Sequence, residues 1–133
     1  MTEQLPHHHH EYTEKLIEAM PPETKFIDAA NLFKQLADGT RLRILWFLCH
    51  TEECGINIAS AVDKSQAVVS HHLRTLNDNN LITSRRDGKE IYYKLADTEL
   101  AELIHHIIET YFSEICPIKE LNIPQNNKTD QEK

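Results

Sequence analysis

The chain has 133 residues, of which 40% are hydrophobic, and it carries a formal net charge of −7. This length suits one domain with a hydrophobic core. No apolar run approaches the ~18–20 residues that a membrane-spanning helix needs, and the polar, acidic residues 1–20 do not resemble a signal peptide. The three cysteines, Cys49, Cys54 and Cys116, are therefore predicted to be free thiols in a reducing cytoplasm.

The acidic excess is unevenly distributed along the chain. Residues 64–94 contain six basic and three acidic side chains, a local net charge of +3, whereas residues 1–33, 34–63 and 95–133 carry −4, −1 and −5. Because salt screens charges beyond about 8–10 Å, attraction to phosphates depends on the local charge. This distribution permits DNA binding by residues 64–94 in a globally acidic protein.

A polar N-terminal arm and two helices are predicted before residue 37. The arm contains four consecutive histidines, His7, His8, His9 and His10. Helical periodicity covers residues 11–19 and stops at Met20-Pro21-Pro22, and a second helix is predicted over residues 23–36. The side chains of this second helix that are expected to be buried are Phe26, Ala29, Ala30 and Phe33.

A third helix is predicted over residues 41–50, because Asp38-Gly39-Thr40 breaks the preceding helix and supplies a cap for the next one. Its apolar side chains are Leu42, Leu45, Trp46 and Leu48. Residues 52–55 are predicted to be a connector.

Residues 57–94 predict two helices followed by a β-hairpin. The apolar positions of the first helix are Ile58, Ala59 and Val62, and those of the second are Val68, Leu73 and Leu76. A polar turn, residues 63–65, separates them. Two β-rich runs, residues 81–85 and 90–95, are joined by Asp87-Gly88, a strong hairpin signal. This order predicts a mainly α fold with a small β wing, a winged helix-turn-helix whose second helix enters the major groove of DNA.

Polar side chains occupy the outward positions of the second helix of this motif. All of them can hydrogen-bond to base edges or phosphates. They are Ser65, Gln66, Ser70, His71 and Arg74. Together with the local positive charge, they favour binding of double-stranded DNA.

A long amphipathic helix is predicted after the wing, over residues 98–115, with Asp97 as its cap and Cys116-Pro117 as its end. Its apolar positions are Leu100, Leu103, Ile104, Ile107, Ile108, Tyr111, Phe112 and Ile115. This set is too wide for the core of one chain. We therefore expect a homodimer whose interface is formed by this helix and the N-terminal helix.

The predicted organisation has three parts. Residues 1–22 form an N-terminal arm with a short helix, residues 23–118 form the DNA-binding and dimerisation domain, and residues 119–133 form a disordered tail. The last prediction depends on the polar, aromatic-free composition of residues 122–133.

Three separated segments resemble the ArsR/SmtB family of transcriptional repressors. They are residues 36–45 (LADGTRLRIL), 65–76 (SQAVVSHHLRTL) and 84–93 (SRRDGKEIYY), and the resemblance extends over residues 24–115. It implies a homodimeric winged-helix repressor that binds an inverted-repeat operator near its own promoter. It also implies release from DNA when an inducer binds, usually a toxic or excess metal ion.

Carried over to this sequence, the family's DNA contacts in the second helix fall on Gln66, Ser70 and His71. Ala67 stands where the family often has serine, so one hydroxyl contact is missing. Phosphates or the minor groove would be held by Arg74, Arg85, Arg86 and Lys89. The alternative is that the histidines only cover the helix surface and that the wing arginines keep a strand edge soluble.

Two metal sites of this family are incomplete here. The first lies across the two C-terminal helices and matches at Asp97 and Glu99, but its later positions fall on Thr110 and Ser113, which are not credible ligands. The second needs a Cys-x-Cys sequence before the DNA-binding helices, whereas Cys54-Gly55-Ile56 offers one thiolate. Neither site is predicted in its usual form.

Other donors can form a sensing site for zinc or cadmium. His105, His106 and Glu109 lie within one turn of the last helix, and with Asp97 and their mates in a dimer they could complete a four-coordinate shell. A second site would draw on Cys54, Cys116, His7, His8, His9 and His10. The alternative is that neither group is a sensing site: the adjacent histidines of the helix bond to a carboxylate, and the histidine run is a loosely chelating tail or a cloning remnant.

A thiol switch is the alternative inducer mechanism. Some relatives sense persulfides or oxidants through one cysteine in the early core helix and another late in the C-terminal helix. Cys49 and Cys116 roughly fit those regions, although a buried core thiol is the other interpretation of Cys49.

Functions outside repression are also considered. A winged helix that binds proteins, without sequence-specific DNA binding, is the alternative from another class. An enzyme is not predicted, because the sequence has no glycine-rich phosphate loop and lacks the His-Glu-x-x-His order of a helical zinc hydrolase.

Overall fold

A computed structural model describes residues 5–113 of the chain. The elements in this part are α1 Tyr12–Ala19, α2 Glu23–Leu36, α3 Gly39–Leu48, β1 Glu53–Cys54, α4 Gly55–Val62, α5 Gln66–Asp78, β2 Ile82–Asp87, β3 Glu90–Leu95 and α6 Glu99–Phe112. They divide into two units, with the boundary between residues 35 and 36. In the described part of the chain, every helix is too short or too polar to cross a membrane.

The first unit contains α1 and most of α2. α1 ends before Met20, whose backbone is extended with a ψ of 129°, because the ring of Pro21 disfavours helical backbone in the residue before it. α2 has the predicted bounds, but the burial predicted for its apolar side chains is wrong in the single chain. Those side chains, all exposed, are Phe26, Ala29, Ala30 and Phe33. Periodicity identifies an apolar face but does not identify the surface that covers it.

The second unit begins with the predicted cap at Asp38. Its Oδ1 accepts a hydrogen bond from the backbone N–H of Arg41 at 2.9 Å. This bond satisfies one of the donors that the first turn of a helix leaves unpaired, so α3 starts at Gly39. Ile44, Leu45 and Leu48 of α3 are completely buried and lie at the centre of the core.

The helix-turn-helix consists of α4 and α5. All three predicted apolar positions of α4 are buried. Asp63 turns the chain in the left-handed conformation, with a φ of 55°. Ser65 then caps α5, since its Oγ accepts a hydrogen bond from the backbone N–H of Val68 at 3.2 Å.

The inner face of α5 differs from the prediction in two respects: Val69 takes the place of Val68, and His72 is buried as well. Val68, which was expected to face inward, is 43% exposed, whereas Val69 is completely buried. The buried residues, spaced as one helix face requires, are Val69, His72, Leu73 and Leu76. The polar side chains of Ser70, His71 and Arg74 consequently lie on the exposed face.

The wing is a three-stranded antiparallel sheet in the order β1-β3-β2. β2 and β3 form the predicted hairpin, in which Asp87 pairs with Glu90. Gly88 adopts a φ of +65° in the two-residue loop between them, a conformation that glycine accepts without strain. The connector predicted over residues 52–55 is wrong in part, because β1 pairs with β3 there. A strand of two residues has too little pattern to be recognised in a sequence.

α6 closes the second unit against the core through Ala101, Ile104 and Ile108. The predicted cap at Asp97 is wrong: Thr98 caps the helix, and its Oγ1 accepts a hydrogen bond from the N–H of Ala101 at 3.1 Å. Ile115, predicted to belong to this helix, lies outside the described residues. The apolar side chains that remain exposed are Leu100, Leu103, Ile107 and Tyr111.

Candidate functional site

The exposed face of α5 presents the candidate base-reading side chains. Ser70, His71 and Arg74 are exposed, and their spacing places them on one side of the helix, opposite the buried face. Gln66 is the first residue of the helix and is also exposed. Ser65 Oγ accepts the N-cap hydrogen bond, and the residues at the amino-terminal end of α5 are exposed.

The two wing arginines lie in different environments. Arg85 forms a forked interaction with Glu52 through hydrogen bonds of 3.1 Å from Nε and 2.8 Å from Nη2. Its guanidinium also lies 3.6 Å from Asp87 and 4.9 Å from the ring centre of Tyr92. The hydrogen bond from Arg85 lowers the pKa of the Glu52 carboxyl, so this carboxylate stays charged and neutralises the arginine.

Arg86 follows Arg85 in β2 and points to the other face of the sheet, where its strand partner is Ile91. Its side chain is exposed, as is that of Lys89 in the hairpin loop. All three cations are exposed, but Arg85 is paired with Glu52, and no ion pair is seen for Arg86 or Lys89 among the described residues. This difference cannot be read from the adjacent Arg85-Arg86 sequence.

The metal-ligand candidates of α6 fall into two groups. His105 Nε2 lies 2.7 Å from Glu109 Oε1, so these side chains form a bonded pair one turn apart. The second group is His106, which is exposed farther around the helix, and Asp97, which lies before the helix begins. In residues 5–113, no three histidine, cysteine or carboxylate side chains of one chain stand close enough to hold a metal ion.

The His105–Glu109 pair lies on one flank of the buried face of α6, and the exposed apolar side chains lie on the other flank. His50, at the end of α3, belongs to the surroundings of this pair. Its Nδ1 is buried and has no hydrogen-bond partner among residues 5–113. Burial lowers the pKa of His50, and the charge of Glu109 opposes that effect. His50 is not among the residues predicted from the sequence, because a lone histidine after an apolar helix carries no distinguishing signal.

The cysteine candidates differ in access. Cys49 is buried, and burial raises its pKa to about 12, which disfavours the thiolate that redox chemistry needs. Cys54 is buried in β1, where it pairs with Tyr92. Cys116 lies outside the described residues. The arm histidines, His7, His8, His9 and His10, are exposed in the first unit.

Comparison with known proteins gives consistent results. The model of a family described as "Bacterial regulatory protein, arsR family" matches residues 38–84. The chain is 34% identical over 97 residues to a "Transcriptional repressor SmtB homolog" of Synechocystis sp., covering 70% of this chain and 74% of that protein. It is 37% identical over 79 residues to a "Cadmium resistance transcriptional regulatory protein CadC homolog" of Staphylococcus aureus, covering 59% and 65%.

The fold has solved counterparts as well. A homodimeric winged helix-turn-helix DNA-binding domain from Mycobacterium bovis, described as a possible ArsR-family regulator, is similar at a TM-score of 0.60 and 30% identity. The similarity covers 69% of this chain and 85% of that structure. The winged helix-turn-helix prediction is thereby confirmed.

Proposed function

This chain belongs to the ArsR/SmtB family of DNA-binding transcriptional repressors, and we propose that it reads its operator with the exposed face of α5. The observation that carries the proposal is the exposure of Ser70, His71 and Arg74 opposite a fully packed inner face. A helix so placed can enter the major groove and present these side chains to base edges. Gln66 and the end of the helix capped by Ser65 would lie toward the phosphate backbone. The matched proteins are DNA-binding regulators rather than enzymes.

We assign the phosphate contacts of the wing chiefly to Arg86 and Lys89. All three wing cations are exposed, but the guanidinium of Arg85 is already paired with the carboxylate of Glu52. A phosphate that recruited Arg85 would have to displace this carboxylate. The main role that we propose for Arg85 is to link the wing to Glu52, the residue before β1, and contact with DNA is its secondary role.

The proposed active species is a homodimer formed through α6. Leu100, Leu103, Ile107 and Tyr111 form a continuous exposed apolar stripe on one flank of this helix. Apolar surface of this extent favours burial against a second copy, and a two-fold dimer matches an inverted-repeat operator. The partly similar structure from M. bovis is itself homodimeric.

The inducer is proposed to be a metal ion, with zinc or cadmium as the first candidates. Two similar proteins are named for SmtB-type repression and for cadmium resistance. Imidazole and carboxylate donors suit these ions, and His105 and Glu109 are already one bonded pair. Since one chain does not assemble three donors within residues 5–113, a complete shell needs donors beyond this pair. The proposed sources are His106 and Asp97 of the second copy.

Metal binding at α6 would act on DNA through the geometry of the dimer. The same helix carries both the donor pair and the exposed apolar stripe, on opposite flanks. A change in how α6 sits would therefore alter the spacing of the two α5 helices. Half-sites require a spacing near one turn of DNA, so a small rotation reduces operator affinity. A coupling free energy of about 1–3 kcal/mol is typical of such allostery.

The test uses the full chain bound to a duplex that the wild-type protein selects from a random-sequence library. Zn(II) and Cd(II) are titrated separately, and DNA release is followed by fluorescence anisotropy. A His105→Ala/His106→Ala variant is expected to bind the duplex but to resist release by metal. A His8→Ala/His9→Ala variant, which removes another adjacent histidine pair, is the matched control and should respond like the wild type.

The outcomes distinguish the parts of the proposal. Normal release from the α6 variant, together with no release from Cys54→Ser or Cys116→Ser, would show a thiol-based sensor. Loss of release in the arm variant would move the sensor to the histidine run. If neither metal releases the wild-type protein, the metal-inducer proposal is wrong while DNA recognition by α5 stands. If no sequence is enriched at all, the DNA-reading proposal itself is wrong.

A further inference from the structure

One side chain of α5 is polar and yet turned away from the proposed DNA face. His72 lies among the apolar residues Val69, Leu73 and Leu76, and only 9% of its surface is exposed. A polar ring buried at this position costs free energy unless its nitrogen atoms find partners. The partners come from the first turn of α3.

Both ring nitrogens face residues at the start of α3. Nε of Arg41 donates a hydrogen bond to Nδ1 of His72 at 3.4 Å. On the other side of the ring, Nε2 lies 3.8 Å from Oδ1 of Asp38, which is an electrostatic contact longer than a hydrogen bond. The same Oδ1 accepts the capping hydrogen bond from the backbone of Arg41. The carboxylate is thus fixed by the helix that it caps.

This arrangement requires a neutral imidazole. Because Nδ1 accepts from Arg41, the single ring proton resides on Nε2 and points toward the carboxylate of Asp38. Burial lowers the pKa of His72, the nearby charges of Arg41 and His71 lower it further, and the charge of Asp38 opposes them. A second proton on Nδ1 would remove the acceptor and place a positive ring against the guanidinium.

We propose that Asp38, Arg41 and His72 form a positioning clamp that fixes the orientation of α5 against the start of α3, so that the DNA-reading side chains are held in register. The inference rests on the proposed reading of DNA by α5. His72 itself does not contact DNA, since it lies on the inner face. Its neighbours Ser70 and His71 project from the opposite face.

The clamp supplies something that the apolar contacts of α5 do not. Val69, Leu73 and Leu76 hold the helix to the core, but apolar packing has weak directional preference. Hydrogen bonds depend steeply on distance and angle. Reading side chains need placement within about 0.5 Å and 10–20°, which supporting polar contacts provide.

The test compares the affinity of the full chain for its selected duplex with the affinity for a scrambled duplex. His72→Leu keeps an apolar side chain in the site but removes both ring nitrogens, and so the contacts with Arg41 and Asp38. It is expected to lower the ratio of specific to non-specific affinity about tenfold, which corresponds to about 1.4 kcal/mol. His72→Asn keeps an acceptor near the position of Nδ1 and should retain more of the ratio. Val69→Ala, a core change in the same helix, is the matched control and should lower thermal stability but preserve the ratio.

The pH profile separates positioning from a general packing role. Burial lowers the pKa of His72 below the ordinary value of 6.5, so the ratio should fall in the wild type only as the pH drops below 6.5, and the asparagine variant should not share this loss. The charged and ionisable groups near His72 are His71, Asp38 and Arg41, and because both proteins contain them, their contribution to the pH profile is common to the two.

Three results would overturn the clamp: a wild-type ratio in His72→Leu, an equal loss in Val69→Ala, or the same acid-induced loss in His72→Asn. If the leucine variant does not fold, the asparagine variant and its pH profile decide. A wild-type protein without any preference for the selected duplex would instead refute DNA reading by α5.

Discussion

Replacing Leu103 by alanine tests whether the exposed apolar stripe of α6 joins two copies of the chain. Leu103 is 50% exposed in the single chain, so a dimer interface would bury about half of a leucine side chain. Complete burial of such a side chain contributes about 1.5–3 kcal/mol, and half of it therefore about 1 kcal/mol in each chain. Two-fold symmetry removes the contact twice. The dimer should lose about 2 kcal/mol, which raises its dissociation constant about 30-fold.

Sedimentation velocity over a range of protein concentrations measures this change directly. Ile56→Ala is the matched control, because Ile56 is 52% exposed but belongs to α4, outside the stripe. It should leave the dissociation constant unchanged. An unaltered dimer in Leu103→Ala, or an equal weakening in Ile56→Ala, would refute the placement of the interface on this flank of α6.

Three further predictions follow from the site. Ser70→Ala and His71→Ala should each weaken binding to the selected duplex by about 1–3 kcal/mol while changing scrambled-duplex binding less, as titrations with both duplexes would show. Arg86→Ala should weaken binding to all duplexes and reduce the slope of log K against log salt by about one. Arg85→Ala removes an arginine that is already paired with Glu52, so it should change that slope less. Equal slopes for the two variants would contradict the assignment. Cys49, whose pKa burial raises to about 12, should react with iodoacetamide at pH 8 far more slowly in the folded protein than in urea, and rapid labelling in the folded state would revive a thiol switch.

Features that depend on residues close together in the sequence could be predicted from the sequence alone. Asp38 caps α3 as predicted because a capping side chain reaches only the first turn of its own helix. The hairpin is confirmed because Asp87-Gly88 supplies a turn between two short β-rich runs. The family resemblance is confirmed by the matched region and its relatives. Local patterns did not identify the cap of α6, which was predicted at Asp97 but is Thr98. Both residue types are suitable caps, and the backbone conformation determines which of them caps the helix.

Interactions between distant residues required the tertiary structure. Glu52 and Arg85 are 33 residues apart, and no sequence pattern indicates which of the two adjacent exposed arginines pairs with this carboxylate. Arg41 and His72 are 31 residues apart, so the buried polar link between α3 and α5 could not be predicted either. The sequence does not distinguish His72, which is buried, from its neighbour His71, which is exposed. Helical periodicity predicts that Val68 faces the core, but Val69 is the buried residue in the structure. Residue spacing defines which side chains share a face, whereas the partner of that face is decided only when distant segments meet in the fold.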